Sequence, residues 1–415
     1  MQRIRNHAWL FCVCLLLAAG HAGAAPSANP QVLYSFCPDH AHCYAGQQPL
    51  GLVRGRDGAY YGITFYGGVR GGSGVIYRVD PATRAVSVVH RFDPDLEGYW
   101  PVGWLTIDKK GNFYGALLAS GEMGFGRIFR LTPDGEFTVL HPSPDNVSHA
   151  DSAPVQDAQG NWYGTIYGYP SSIYKLAPDG TFTTLYTFPS EDNHYVSAFG
   201  LVLAPNGYLY GTTAYGGEHH LGTVFRMSRD GAITTLHHFD GENDGIPLAG
   251  LAIGPDGALY GTSWLDSDTS SMFRITLDGD FTTLNVFGLG STGAIREPLT
   301  LMPDGFFYGS RLREPNAPLV DTIFRLSLAG DYSEIYTFPR NGSRGSSIHA
   351  PLIRGFDNAL YGTADAPLRS LVEALSQSPD EKDFREAQGG NSGGGGMSRA
   401  WLPASRCKSC SHTRS

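Results

Sequence analysis

Residues 200–239 read GLVLAPNGYLYGTTAYGGEHHLGTVFRMSRDGAITTLHHF. Four short runs of apolar, β-branched and aromatic residues stand here between turn residues: GLVLA, YLYGTT, GTVFRM and ITTLHHF. Runs of this kind, bounded by Gly, Asn, Asp and Pro, read as β-strands. The intervening Asn206-Gly207 and Asp230-Gly231 pairs supply the positive φ that tight hairpins need. The stretch therefore predicts four antiparallel strands joined by short turns.

The same unit recurs, in whole or in part, along the chain. Its marker is a Tyr-Gly pair after a turn: Tyr61-Gly62, Tyr114-Gly115, Tyr163-Gly164, Tyr210-Gly211, Tyr260-Gly261, Tyr308-Gly309 and Tyr361-Gly362. Successive spacings are 53, 49, 47, 50, 48 and 53 residues. A four-stranded unit repeated with this period points to a β-propeller. A sheet that is apolar on both faces cannot bury itself alone. Stacked radially, each sheet covers both faces against its neighbours. The predicted fold is all-β, a seven-bladed β-propeller of four-stranded antiparallel blades over residues 31–365.

The ends of the chain suggest how the ring closes. Residues 32–36, VLYSF, match the fourth run of a unit but precede any first run. Residues 351–363 supply a first and a second run, and then the pattern stops. Placing the N-terminal strand in the last blade joins the ends and removes an open edge. No third run of that blade is recognisable. Leu371 to Leu375 fits either a degenerate strand or a helical turn.

Length alone, 415 residues, would allow two or three domains, but the repeat assigns most of the chain to one ring. The 54 glycines and 12% aromatic content suit a turn-rich β protein. The formal net charge of −9 and the lack of a basic stripe argue against a nucleic-acid partner. Residues 1–25 have the form of a secretory signal. Arg3 and Arg5 lead, Ala8 to Ala19 form an apolar core too short to span a bilayer, and Ala22-Gly23-Ala24 ends it. The mature protein is then expected to be secreted or periplasmic, a monomer with no membrane span. In an oxidising compartment Cys37 and Cys43 suggest a local disulfide. The string between them also carries His40 and His42, and a metal site there is the alternative.

The units DGxLYGT, GTVFRL and TTLHxF resemble the GloVer tandem-repeat family of exported bacterial proteins with variable C-terminal anchors. The resemblance covers roughly residues 31–363. It implies export and a repeated β architecture, and it implies no activity. A looser, fold-level likeness is to the NHL and lactonase-type propellers, and fold alone transfers no function. The family leads one to expect an apolar C-terminal anchor, and residues 366–415 hold no apolar run that reads as one. Residues 366–415 run through a Gly-rich linker to a basic end and read as a disordered tail. Cys407-x-x-Cys410 there lacks the second pair a zinc site would need.

In a four-stranded blade, the loop between strands two and three and the lead-in to strand one open on the same face. That face surrounds the channel mouth, where propeller ligands usually sit. Residues that vary there against a constant frame are the candidates. They are Tyr99, Trp100, His149, Asp151, His194, Tyr195, Tyr215, Asp244, Trp264, Arg296, Glu297 and His349. Gln47, Gln48, Tyr66, Tyr167, Tyr169, Glu218, His219 and His220 flank them. Aromatic rings with carboxylates and amides suit a sugar or a peptide. The competing reading is that Tyr and Trp at loop ends merely cap the blade core.

Other recurrent residues read as scaffold. Arg78, Arg130, Lys175, Arg226, Arg274 and Arg325 repeat on the third strand, as partners between blades. His90, His141 and His237 repeat on the outermost strand. The acidic loops Asp93-x-Asp95-x-Glu97 and Asp240-x-Glu242-x-Asp244 could hold calcium, though neither matches a full calcium loop. No other cofactor or metal is called for. No nucleophile elbow, phosphate loop or HExxH stands in the chain. The leading expectation is a binding module for an extracellular glycan or protein. The alternatives are a lyase or hydrolase working through mouth-lining His and carboxylate groups, and a purely structural surface protein.

Overall fold

The computed structural model describes residues 30–36, 43–68, 72–119, 127–142, 149–150, 152–168, 170–189, 196–242, 244–266, 269–288, 293–313, 322–338, 350–364 and 370–375. They form an all-β propeller of four-stranded antiparallel blades. Six blades each use one contiguous stretch of chain. Blade 1 runs through Gln47–Arg54, Tyr60–Tyr66, Val75–Val79 and Val86–Arg91, and blade 2 through Tyr99–Ile107, Phe113–Ala119, Arg127–Leu131 and Phe137–Pro142. Blade 3 has an interrupted inner strand, His149–Ala150 and Val155–Gln156, then Trp162–Tyr167, Ser172–Leu176 and Phe182–Thr187. Blade 4 holds Ser197–Leu203, Leu209–Ala214, Thr223–Met227 and Ile233–His238. Blade 5 holds Ala252–Ile253, Leu259–Trp264, Thr269–Ile275 and Phe281–Gly288. Blade 6 again splits its inner strand, Gly293–Ala294 and Thr300–Leu301, before Phe307–Arg313, Thr322–Leu326 and Tyr332–Thr337.

The seventh unit of the repeat differs. In place of a seventh contiguous blade, one sheet combines both ends of the chain. Its strands lie in the order Gln31–Ser35, Ser370–Leu375, Leu360–Ala364 and Ile353–Arg354. Residues 371–375 are thus a strand, not a helical turn. They carry the sheet past residue 365, where the repeat becomes unreadable. Phe36 packs with Leu52, Tyr60 and Tyr361, which ties this end sheet to blade 1. Leu352 and Leu360 pack with Tyr308 and Ile323, which ties it to blade 6.

The Tyr-Gly marker has a steric cause. In blades 1 to 6 the glycine lies directly across from an aromatic residue of the third strand, as Gly115 does from Phe129, Gly164 from Tyr174, Gly211 from Phe225 and Gly309 from Phe324; in the end sheet Gly362 faces Val372. A Cβ on any of the first four would stand 2.5–2.7 Å from that aromatic side chain. The ring therefore lies flat on backbone, and only glycine leaves room for it. The tyrosine has its own anchor. Tyr61, Tyr114, Tyr163, Tyr260, Tyr308 and Tyr361 each donate a hydrogen bond to an Asp carboxylate of the preceding turn, at 2.5–3.2 Å. In blade 4 Asn206 takes that place and donates to the Tyr210 hydroxyl at 2.7 Å.

The recurrent arginines work within a blade, not between blades as their repetition suggested. Arg78 bonds Asp57 at 3.0 Å and Arg274 bonds Asp256 at 2.8 Å, each in its own blade. Arg226 and Arg325 cover Tyr208 and Phe306 of their own blades. Burial disfavours the charged form of Asp57. The Ala59 amide, the Arg78 guanidinium and the Tyr61 hydroxyl outweigh it and hold its pKa below the usual carboxylate value. Contacts between outer strands are made by the histidines. His141 stacks on Phe182 of blade 3 at 3.6 Å, and His237 on Phe281 of blade 5 at 3.5 Å.

Candidate functional site

Chain direction decides which residues share a face. The first residues of strands one and three and the last of strands two and four lie at one end of every blade. The top rung between the two inner strands pairs Gln47 with Tyr66, Tyr99 with Ala119, and His149 with Tyr167. Further round, it pairs Ser197 with Ala214, Ile246 with Trp264, and Gly293 with Arg313. The frame is constant and its occupants differ from blade to blade. Tyr99, His149 and Trp264, singled out from sequence, all stand on these rungs.

The seam between blades 1 and 2 carries an aromatic cluster. The Trp100 ring lies parallel to Phe65 at 6.2 Å and edge-on to Tyr99 at 4.8 Å and Tyr66 at 6.5 Å. Phe65 and Tyr66 make an edge contact at 4.6 Å. All four residues are half-buried. Two features place them. Gly74, at φ +93°, ends the loop of blade 1, and a Cβ on it would meet Pro101 at 2.8 Å. Pro101 therefore docks on Gly74 and sets the start of blade 2 beside Phe65. The residue before it, Trp100, takes φ +59°. A bulky side chain rarely adopts this left-handed region, and a residue before proline is normally extended. Gln48, before Pro49 in blade 1, takes φ +55°. The strained lead-in belongs to the frame, and the side chain it presents varies.

Other candidates fall elsewhere. Tyr215, at φ +61°, is exposed on the loop of blade 4 between strands two and three. Arg296 is exposed and Glu297 half-buried just past Gly293–Ala294. Asp151, His194, Tyr195, His349, Tyr169 and Cys37 lie outside the described residues, as do residues 1–25 and 376–415. Cys43 is disulfide-bonded.

Asp244 is not a free ligand group. It is 4% exposed, and its Oδ1 accepts the amides of Asp240 at 2.8 Å and Gly241 at 3.4 Å. Its Oδ2 lies 2.6 Å from Nε2 of His237, which donates to it. Burial raises its pKa, but the His237 hydrogen bond and the Asp240 amide more than offset that and lower it. The carboxylate closes the loop between blades 4 and 5. Glu97 does the same in the loop between blades 1 and 2. It accepts from the Asp93 amide at 3.0 Å and faces His90 Nε2 at 2.8 Å. Asp93 in turn accepts the amides of Asp95 and Leu96. Both acidic loops thus turn carboxylates onto their own backbone. Among the described residues, no group of three or more His, Cys, Asp or Glu side chains is placed to hold a metal ion.

Sequence reasoning missed Phe65. Its signal was the Phe65-Tyr66 pair closing a second strand whose counterparts in other blades end in one aromatic or none. It also missed a cleft of about 210 Å³ between blades 3 and 4, formed by residues far apart in the chain.

The sequence profile described as the Gloeobacter/Verrucomicrobia repeat matches residues 25–192 and 167–367. No curated protein matches the chain. Among solved structures it is similar to an oligogalacturonate lyase in complex with manganese, at 13% identity and a TM-score of 0.54, over 86% of this chain and 95% of that one. It is similar to a protein from Lactobacillus plantarum at 16% identity and TM-score 0.49, over 75% of this chain and 94% of that one. Regucalcin, a calcium-binding protein from Agrobacterium tumefaciens, follows at 14% identity and TM-score 0.43, over 70% and 88%. At such identities the likeness to the lyase extends to the fold and no further.

Proposed function

The chain belongs to the Gloeobacter/Verrucomicrobia repeat family, and from that premise we propose that it is an exported propeller that binds an extracellular glycan on its channel-mouth face. One observation carries this reading: a tryptophan held in a strained, left-handed lead-in, beside three more aromatic side chains, on the face where loops vary. Strain of about 1–3 kcal/mol persists where the surroundings over-determine it, and it collects at binding sites. Flat rings cover the C–H faces of a sugar, and neighbouring amides and hydroxyls bond its hydroxyl groups. Gln47, opposite Tyr66, supplies such an amide.

The two ends of the propeller also differ. On the opposite face, exposed Phe356 and Tyr208 lie under Arg54 and Arg226. On the mouth face Tyr44, Tyr167 and Tyr215 are exposed. Export accords with the signal-like residues 1–25, and we assign Cys37 as the partner of Cys43 in an oxidising compartment. The end sheet closes the ring as its seventh blade, which fixes the mouth loops relative to one another.

The test is retention in native gels cast with bacterial and plant polysaccharides, for wild type and Trp100→Ala. The reading expects at least one polysaccharide to slow the wild type and the variant to lose most of that shift with its melting temperature unchanged. Wild-type mobility unchanged by every polysaccharide would end it.

A further inference from the structure

We infer that the cleft between blades 3 and 4 is a separate subsite for one neutral pyranose ring, a proposal that rests on the glycan reading. The cleft holds about 210 Å³. That is below the roughly 300–1,000 Å³ of sites that take drug-sized ligands, so it suits a single ring and not a chain. Its walls come from two sources. The outer strand of blade 3 and the residues after it bring Tyr186, Phe188 and Pro189. Blade 4 brings Thr213, Thr235, His220 and His238.

The polar side of this cleft is built around one histidine. The backbone amide of Glu218 donates to His238 Nδ1 at 3.1 Å. A nitrogen that accepts cannot also carry the proton, so this hydrogen bond selects the tautomer with its proton on Nε2. Nε2 lies 3.9 Å from Glu218 Oε1, too far for a hydrogen bond. The Glu218 side chain is 72% exposed. A donor and an anionic acceptor therefore stand side by side at the rim of the cleft, 3.9 Å apart. Nε2–H can donate to one hydroxyl oxygen while the carboxylate accepts from the next. The Tyr186 and Phe188 side offers rings for the C–H face.

The same lining sets the charge of the ligand. No lysine or arginine stands among its described residues, and the nearby charge is the Glu218 carboxylate. A uronate, phosphate or sulfate would meet repulsion there with no cation to offset it. Calcium or zinc would find two histidines, one with its Nδ1 already occupied, and one largely exposed carboxylate, and no group of three or more such side chains is placed to hold a metal ion among the described residues. A neutral hexose fits both the size and the electrostatics.

The experiment is saturation-transfer-difference NMR on the full chain with D-glucose, D-galactose, D-mannose and D-galacturonate, followed by titration of any binder. The expected result is binding of at least one neutral hexose and none of galacturonate. Glu218→Gln, a surface change that leaves the fold alone, should weaken the hexose about tenfold. Tyr186→Ala should do the same. Binding of galacturonate alone, or hexose binding indifferent to both Glu218→Gln and Tyr186→Ala, overturns the subsite. Polysaccharide retention that depends on Trp100 with no hexose bound overturns the subsite and spares the glycan reading. Loss of both overturns both.

Discussion

Replacing Gly211 with alanine builds a methyl group 2.6 Å from Cζ and 3.0 Å from Cε1 of Phe225, and 3.1 Å from Leu201 Cδ2. Carbon atoms in proteins settle near 3.5–4.0 Å, so the ring must retreat by almost an ångström. It has nowhere to go. Phe225 is 1% exposed and packs among Tyr163, Ile173, Phe188, Leu209 and Met227. Overpacking of this kind costs about 1–3 kcal/mol. Loss of glycine freedom in the unfolded chain returns about 0.4–1 kcal/mol. The net is about 1–2 kcal/mol of destabilisation. Unfolding entropy near 2.1 cal/mol/K per residue, over the propeller, makes about 0.7 kcal/mol/K. The melting temperature should therefore fall by about 1.5–3 °C in a calorimetric scan. Phe225→Leu shortens the ring at the point of collision, so it should cost less beside Gly211→Ala than in the wild type. Gly207→Ala is the control. Its φ is +83° and its nearest neighbour is Arg229 Nη2 at 3.7 Å, so its cost comes from backbone alone and ignores Phe225→Leu. Wild-type melting of Gly211→Ala, or an equal cost of Phe225→Leu in both backgrounds, would refute the steric account of the repeat.

Asp244→Asn should lower stability at neutral pH. The folded pKa of Asp244 lies below its ordinary 3.8, so its contribution is present above that value and fades as pH falls through the folded pKa; an acid titration of the variant should be flatter than that of wild type in this range. Burial lowers the pKa of His141, so the unfolded chain takes its proton more readily and stability drops as pH falls below about 6.5. In His141→Leu, denaturant midpoints at pH 7.5 and 5.5 should differ less than in wild type. Asp256→Asn with Arg274→Gln should show a coupling of about 1 kcal/mol or less in a double-mutant cycle, because both side chains are about one-third exposed. Deleting residues 30–36 removes the strand paired with Ser370–Leu375 and the buried Phe36, and limited proteolysis of that variant should cut first near the end sheet.

The architecture was legible because it is written locally and many times. A Tyr-Gly pair, an Asp or Asn in the turn before it and an aromatic residue in the next strand lie within about twenty residues, and the first six repeats restate them. The last sheet was only half legible. Its third strand, Ser370–Leu375, lacks the pair of an aromatic and a basic residue that the others carry. It is recruited by its two neighbours, one of them from the far end of the chain. The site was harder. Asp244 looks the same in sequence whether it faces a ligand or folds back onto His237, and seven residues of chain separate the two. The recurrent arginines gave their importance but not their partners, since a turn Asp in the same blade and a ring in the next are equally consistent with repetition. Trp100 was found because it breaks the repeat. Its partner Phe65 was passed over because it resembles a strand residue.

The order of strands in the end sheet has a consequence for synthesis. Gln31–Ser35 emerges first, yet its hydrogen-bonding partner, Ser370–Leu375, emerges more than 330 residues later. At about 5–20 residues per second, the leading strand waits on the order of 20–70 s with its edge unmatched. Blades 1 to 6 can assemble in sequence during that time, but the circle cannot be completed until the final strand arrives. A chain interrupted late would therefore keep an open, adhesive seam.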